Sequence, residues 1–149
     1  MKNLIVYFSK TGTTMKVVDE VSKKLNSDVA KLTSKTGFNG TLFKSIFGGK
    51  IELDQIKFNP EKYDLVILAT PVWGGNPIAH IKSFCINNKF NKVAFIITRK
   101  GSGLKRPLKK LTKLTKEPVA VLEFTDETIN GNTRKEKIDK FVNEINSLK

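Results

Sequence analysis

The sequence predicts an α/β fold, three-layered and doubly wound, with a five-stranded parallel sheet between two helical layers. Two observations carry that expectation. Short, continuous, β-branched runs stand at residues 4–8 (LIVYF), 65–69 (LVILA), 93–97 (VAFII) and 119–122 (VAVL), and stretches of helical period separate them. An unbroken apolar run suits a strand covered on both faces, and strands alternating with helices call for right-handed crossovers.

The first strand leads into a helix whose Met15, Val18, Val21 and Leu25 share one face. Val29 to Leu32 alternates apolar with polar residues, as a half-exposed edge strand does. Within residues 33–62 a short apolar helix (Leu42, Phe43, Ile46, Phe47) stands between Gly37/Gly40 and Gly48/Gly49, and is read as a crossover helix packed on the sheet in preference to an exposed patch of Phe38, Phe43 and Phe47 near a ligand. The strand at 65–69 precedes a helix carrying Ile78, Ile81, Phe84 and Cys85, with Pro77 in its first turn and Asn76 as its cap. Leu104, Leu108 and Leu111 mark the next helix, and Ile138, Phe141, Val142, Ile145 and Leu148 the last. No repeat, low-complexity stretch or linker interrupts this pattern, so residues 1–149 are expected to form a single domain.

Composition excludes several classes. With 39% apolar residues a real core is expected rather than disorder. No run reaches the roughly 18 apolar residues of a membrane span, and the apolar start is too short for a signal peptide, so a cytoplasmic protein is expected. One cysteine, Cys85, and one histidine, His80, form neither an internal disulfide nor a zinc site, and no metal is expected. Cys85 reads as a buried small hydrophobe, and no arginine follows it as a phosphatase loop would need. His80 reads as surface or cap-adjacent.

The charge is the anomaly. The chain carries 27 Lys plus Arg against 14 Asp plus Glu, a net +13, which suggests nucleic acid, an anionic membrane or an acidic protein. Eight cations and no acid fall within residues 99–116. That stretch (Lys105, Arg106, Lys109, Lys110, Lys113, Lys116) reads either as the solvated side of an amphipathic helix or as a docking face for an acidic redox partner. Nucleic acid fits poorly, because no base-reading motif is present and the stretch holds no aromatic residue.

Three loops follow three strands. Ser9-Lys10-Thr11-Gly12-Thr13-Thr14 offers hydroxyls, backbone N–H groups and a helix N-terminus to a phosphate. It is neither a nucleoside-triphosphate loop, for Gly49-Lys50 is followed by Ile51, nor a three-glycine dinucleotide fingerprint, so a monophosphate remains. Thr70-Pro71-Val72-Trp73-Gly74-Gly75-Asn76 places the one tryptophan beside two glycines at the carboxyl end of a strand, where open α/β sheets bind ligands. Thr98-Arg99-Lys100-Gly101-Ser102-Gly103 is a third glycine-rich loop at a third strand end.

These three loops resemble those of the flavodoxin family, and the similarity covers nearly the whole chain. The resemblance implies strand order 2-1-3-4-5 and FMN as cofactor. Its phosphate would sit on residues 9–14 and its isoalloxazine ring between 70–76 and 98–103. It also implies electron transfer with redox partner proteins, and no side chain acting as acid, base or nucleophile. Two departures stand out: the third loop lacks the aromatic that many flavodoxins stack on the ring, leaving Trp73, and Arg99 and Lys100 replace the acidic surroundings usual there. Cations beside the ring would favour its reduced, more negative form. Two alternatives remain open, an FMN-dependent NAD(P)H:quinone or flavin reductase of the same fold, and a flavin-free basic interaction module.

Overall fold

A computed structural model describes residues 1–101 and 103–148. The chain runs β1 (Asn3–Tyr7), α1 (Thr13–Leu25), β2 (Asp28–Lys31), α2 (Phe38–Phe47), a 3₁₀ turn at Pro60–Lys62, β3 (Leu65–Trp73), β4 (Asn76–Pro77), α3 (Ala79–Asn87), β5 (Lys92–Thr98), α4 (Lys105–Leu114), β6 (Val121–Phe124) and α5 (Gly131–Asn146). The parallel strands lie in the order β2-β1-β3-β5-β6, which is the expected 2-1-3-4-5 arrangement once the two-residue β4 is set aside.

Residues of the central strands alternate between two cores, which is why their runs read as continuous rather than alternating. Ile5, Leu65, Ile67, Ala94, Ile96 and Leu122 face α1 and α5, whose Val17, Val18, Val21, Ile138, Phe141 and Ile145 cover them. Leu4, Val66, Leu68, Val93, Phe95 and Ile97 face the other way, onto Ile81, Phe84, Cys85 and Leu111 of α3 and α4. Met15, expected on the buried face of α1, is 37% exposed, and Thr14 and Val17 are buried in its turn instead. Burial pushes the Cys85 thiol up to about 12.

Three further expectations are corrected. Asn76 and Pro77 do not open a helix. Trp73 and Val72 pair antiparallel with Asn76 and Pro77 across a Gly74-Gly75 turn, and α3 begins at Ala79 behind Ile78. Both glycines have positive φ, 57° and 72°, the backbone that two-residue hairpins of type I′ require. Next, α2 does not lay its aromatics on the sheet. Its buried residues are Thr41 and Ser45, while Phe38, Phe43 and Phe47 stand 48%, 61% and 74% exposed. Finally, His80 stands beside the start of α3, two residues after its N-cap Ile78, but it is not a surface residue. It is 3% exposed and stacks on Phe8 with ring centroids 4.1 Å apart, its Nε2 3.2 Å from Ser34 Oγ.

His80 gives a pH prediction. Burial pushes it down to about 4, against a smaller upward pull from Asp54. The folded protein keeps the ring neutral where the unfolded chain binds a proton, below about 6.5. This contribution to stability is complete above about pH 6.5 and is lost as pH falls toward 4. Thermal melts at neutral pH and at about pH 5 are expected to diverge less for His80→Phe than for the parent.

Candidate functional site

β1 ends at Tyr7, and the chain turns through Ser9 to Gly12 before entering α1. Gly12 is the N-cap residue at φ 88°, a left-handed conformation that glycine adopts without Cβ strain. Ser9 Oγ accepts from Gly12 N at 3.1 Å, closing the loop on itself. The first N–H groups of a helix have no partner within it, and here no side chain caps them. Thr13, Thr14 and Met15 therefore present backbone donors, at the positive end of the helix dipole, to whatever anion enters.

The second loop is held from behind. Thr70 is buried, its Oγ1 accepting from Ile78 N at 3.1 Å and donating to Pro71 O at 2.8 Å. Asn76, also buried, donates through Nδ2 to Gly74 O at 2.9 Å and accepts from Lys110 Nζ. The hairpin tip is thereby fixed by a side chain two residues beyond it. Trp73 meets Phe8 and Phe38 edge-on, at 6.3 Å and 5.4 Å between centroids, so neither ring lies parallel on the indole. Lys10 Nζ sits 3.1 Å from the centroid of Phe38.

Thr98 joins the first loop to the third. Its Oγ1 lies 2.8 Å from Thr14 Oγ1, in a buried hydrogen bond across 84 residues of sequence. Thr14→Val is expected to destabilise the fold by about 1 kcal/mol, read by urea unfolding, the usual net loss for one such bond. Arg99 N donates to Phe124 O, and its guanidinium pairs with Glu123 at 3.1 Å and reaches Gly101 O. Much of the Arg99 charge that the sequence assigns to the ring is thus matched by Glu123, and Lys10 and Lys100 are the exposed ammonium groups at this end.

The loops enclose a cavity of about 590 Å³, within the span of ~300–1,000 Å³ that small-molecule sites occupy. Ser9, Lys10, Thr11, Thr13 and Thr14 line it from the first loop, Pro71, Val72 and Trp73 from the second, and Thr98, Arg99 and Lys100 from the third. Gly12, Thr70, Gly74, Gly75, Asn76, Gly101 and Gly103 shape these loops from outside the lining. Ser102 lies outside the described residues. Phe38, which sequence reasoning set aside as part of a packed helix, also lines the wall, and sequence reasoning missed a fourth loop after β6 that brings Phe124, Thr125, Asp126 and Ile129 to it. The signal was available: residues after 124 leave a fourth parallel strand at the same carboxyl edge. Among the described residues no cluster of His, Cys, Asp and Glu could hold a metal ion, and no helix is long and apolar enough to cross a membrane.

The strand order and the cavity at the β1/β3 switch point define a flavodoxin-like fold. Comparison with solved structures gives the same fold over nearly the full length. A flavoprotein in complex with FMN from Lactobacillus acidophilus NCFM is 22% identical with a TM-score of 0.67, covering 94% of this chain and 97% of that one. A flavodoxin, WrbA-like protein from Agrobacterium tumefaciens is 12% identical, TM-score 0.64, covering 99% of each chain. Flavodoxin 2 from Bacillus cereus is 14% identical, TM-score 0.63, covering 100% of each. No protein-family model and no curated protein matches the sequence.

Proposed function

We propose that the cavity binds FMN and that the protein is a one-electron carrier serving redox partner proteins. The observation that carries this reading is the composition of one cavity, whose wall holds both an uncapped helix N-terminus with its hydroxyls and the rings of Trp73 and Phe38. That is the chemistry of a phosphate joined to a planar aromatic ring. Bound FMN supplies the redox chemistry at its ring.

The chain's own residues then have separate tasks. The N–H groups of Thr13 and Thr14 and the hydroxyls of Ser9, Thr11 and Thr13 hold the phosphate, with Lys10 near enough to offset its charge. Trp73 and Pro71-Val72 flank the ring, Phe38 and the loop after β6 close the side that the third loop leaves without an aromatic, and Thr98 fixes the spacing between phosphate and ring loops. Lys10 and Lys100 stand exposed at the wall and draw acidic redox partners to the mouth by long-range attraction.

Titration of flavin-free protein with FMN tests this. Quenching of flavin fluorescence to a one-to-one endpoint is expected, and unquenched FMN would contradict the reading. Mixing the loaded protein with NADH and NADPH separates carrier from reductase: a carrier keeps its yellow colour, whereas rapid bleaching would assign a nicotinamide-dependent reductase.

A further inference from the structure

α2 is inside out. Amphipathic surface helices bury their apolar stripe and show water their polar one. This helix turns Thr41 and Ser45 inward and leaves Phe43 and Phe47 bare, their rings 4.9 Å apart. The inward side is held by hydrogen bonds rather than apolar packing: Ser45 Oγ accepts from Ala79 N at 2.8 Å and donates to Thr41 O at 2.7 Å. Lys82 Nζ donates to the carbonyls of Lys44 and Ser45 at 3.1 and 2.9 Å, at the negative end of the helix. The outward orientation of the phenylalanines is therefore built in by specific contacts.

The same side of the molecule is cationic. α2, α3 and α4, which share one face of the sheet, carry Lys44, Lys82, Lys105, Arg106, Lys109, Lys110 and Lys113 and no acid. Against them, α1 and α5 on the opposite face interleave seven cations with five acids. The aromatic ridge and the cations are contiguous through the β3–β4 hairpin. Asn76 Nδ2 reaches Ile46 O on α2 at 3.5 Å, its Oδ1 accepts from Lys110 on α4, and Arg106 lies against Gly75. Lys82 and Lys110 are both pushed below the ordinary lysine range, by burial first and then by a neighbouring cation, Lys110 for Lys82 and Arg106 for Lys110.

We propose that the α2–α4 face docks on an anionic lipid bilayer, with Phe43 and Phe47 entering the headgroup boundary and the lysines of α4 meeting the anionic headgroups. Phenylalanine beside lysine is the makeup of interfacial anchors. The rings are exposed, and the cations are spread over three helices that carry no carboxylate. Both features suit a fluid, uniformly charged surface better than the patterned surface of a folded protein. Docking this way holds the cavity mouth beside the membrane, because Phe38 both begins α2 and lines the cavity. The proposal stands apart from the FMN reading, since none of these anchors touches the cavity.

Co-sedimentation tests it with vesicles of phosphatidylcholine alone and of phosphatidylcholine with phosphatidylserine in equal proportion, using protein with and without FMN. Binding is expected to the anionic vesicles alone, weakened by salt and indifferent to FMN. Phe43→Ser/Phe47→Ser is expected to weaken it at least about tenfold, as loss of two inserted rings would. Lys105→Glu/Lys109→Glu/Lys113→Glu is expected to abolish it, with thermal melts confirming that both variants fold. No binding to anionic vesicles would overturn the proposal, as would binding that the phenylalanine variant leaves unchanged. Retention on immobilised poly-glutamate without vesicle binding would overturn it in favour of an acidic protein.

Discussion

Gly74→Val is expected to lower the stability of the fold by about 2–5 kcal/mol, seen as a shift of the urea midpoint. Two costs act together. Gly74 sits at φ 57°, where an L side chain carries about 1–2 kcal/mol of backbone strain. A Cβ there would also lie 2.7 Å from Ile46 Cγ1, on a helix that the hairpin supports, and forcing extra atoms into such a contact adds about 1–3 kcal/mol. Gly75→Ala is the control. It shares the positive φ, 72°, but its Cβ would meet the flexible Arg106 side chain at 3.6 Å, so strain alone is expected. Equal costs at the two positions would show that the α2 contact is weaker than the geometry says. Because Ile46 is the neighbour, Gly74→Val is also expected to loosen α2, which makes it a poor probe of the cavity alone.

Trp73→Ala is expected to weaken FMN binding by about tenfold to a hundredfold while leaving the unfolding midpoint of the flavin-free protein nearly in place. Stacking of an aromatic side chain on a heteroaromatic ring is worth about 1–3 kcal/mol. Trp73 is only half-buried, packs at the margin of the core beneath α3 and α4, and meets Phe8 and Phe38 in T-shaped pairs, so its loss is expected to cost affinity more than stability. Trp73→Phe should recover most of the affinity. If Trp73→Ala lowers stability as much as affinity, the indole is packing the hairpin and not receiving a ring.

Much of the architecture was legible because the central strands are covered on both faces. Covered strands must be apolar at every position, so Leu65 to Ala69 and Val93 to Ile97 announce themselves without reference to the rest of the chain. The three loops could be read for a related reason, since a parallel sheet sends all its strand ends to one edge, and glycines and hydroxyls gathered there converge. Tertiary context hid the rest. Pro77 has the chemistry of a helix's first turn, yet Gly74-Gly75 make a two-residue hairpin that draws it into pairing with Val72, and α3 starts two residues later. That delayed start accompanies the burial of His80 against Phe8. α2 misled most, for Phe43, Ile46 and Phe47 have the spacing of a core stripe. Which side faces inward was decided by hydrogen bonds that Ser45 accepts from Ala79 N and Lys82 Nζ, more than thirty residues away.

The central claim is that one cavity receives a phosphate and a flavin ring together. It is tested most directly by comparing FMN with riboflavin, which has the ring without the phosphate, in parallel titrations of the flavin-free protein. If the uncapped N-terminus of α1 holds the phosphate, FMN is expected to bind at least about a hundredfold more tightly, the effect of two charge-assisted hydrogen bonds. Riboflavin binding as tightly as FMN would contradict the phosphate site, and retention of neither would contradict the flavin itself.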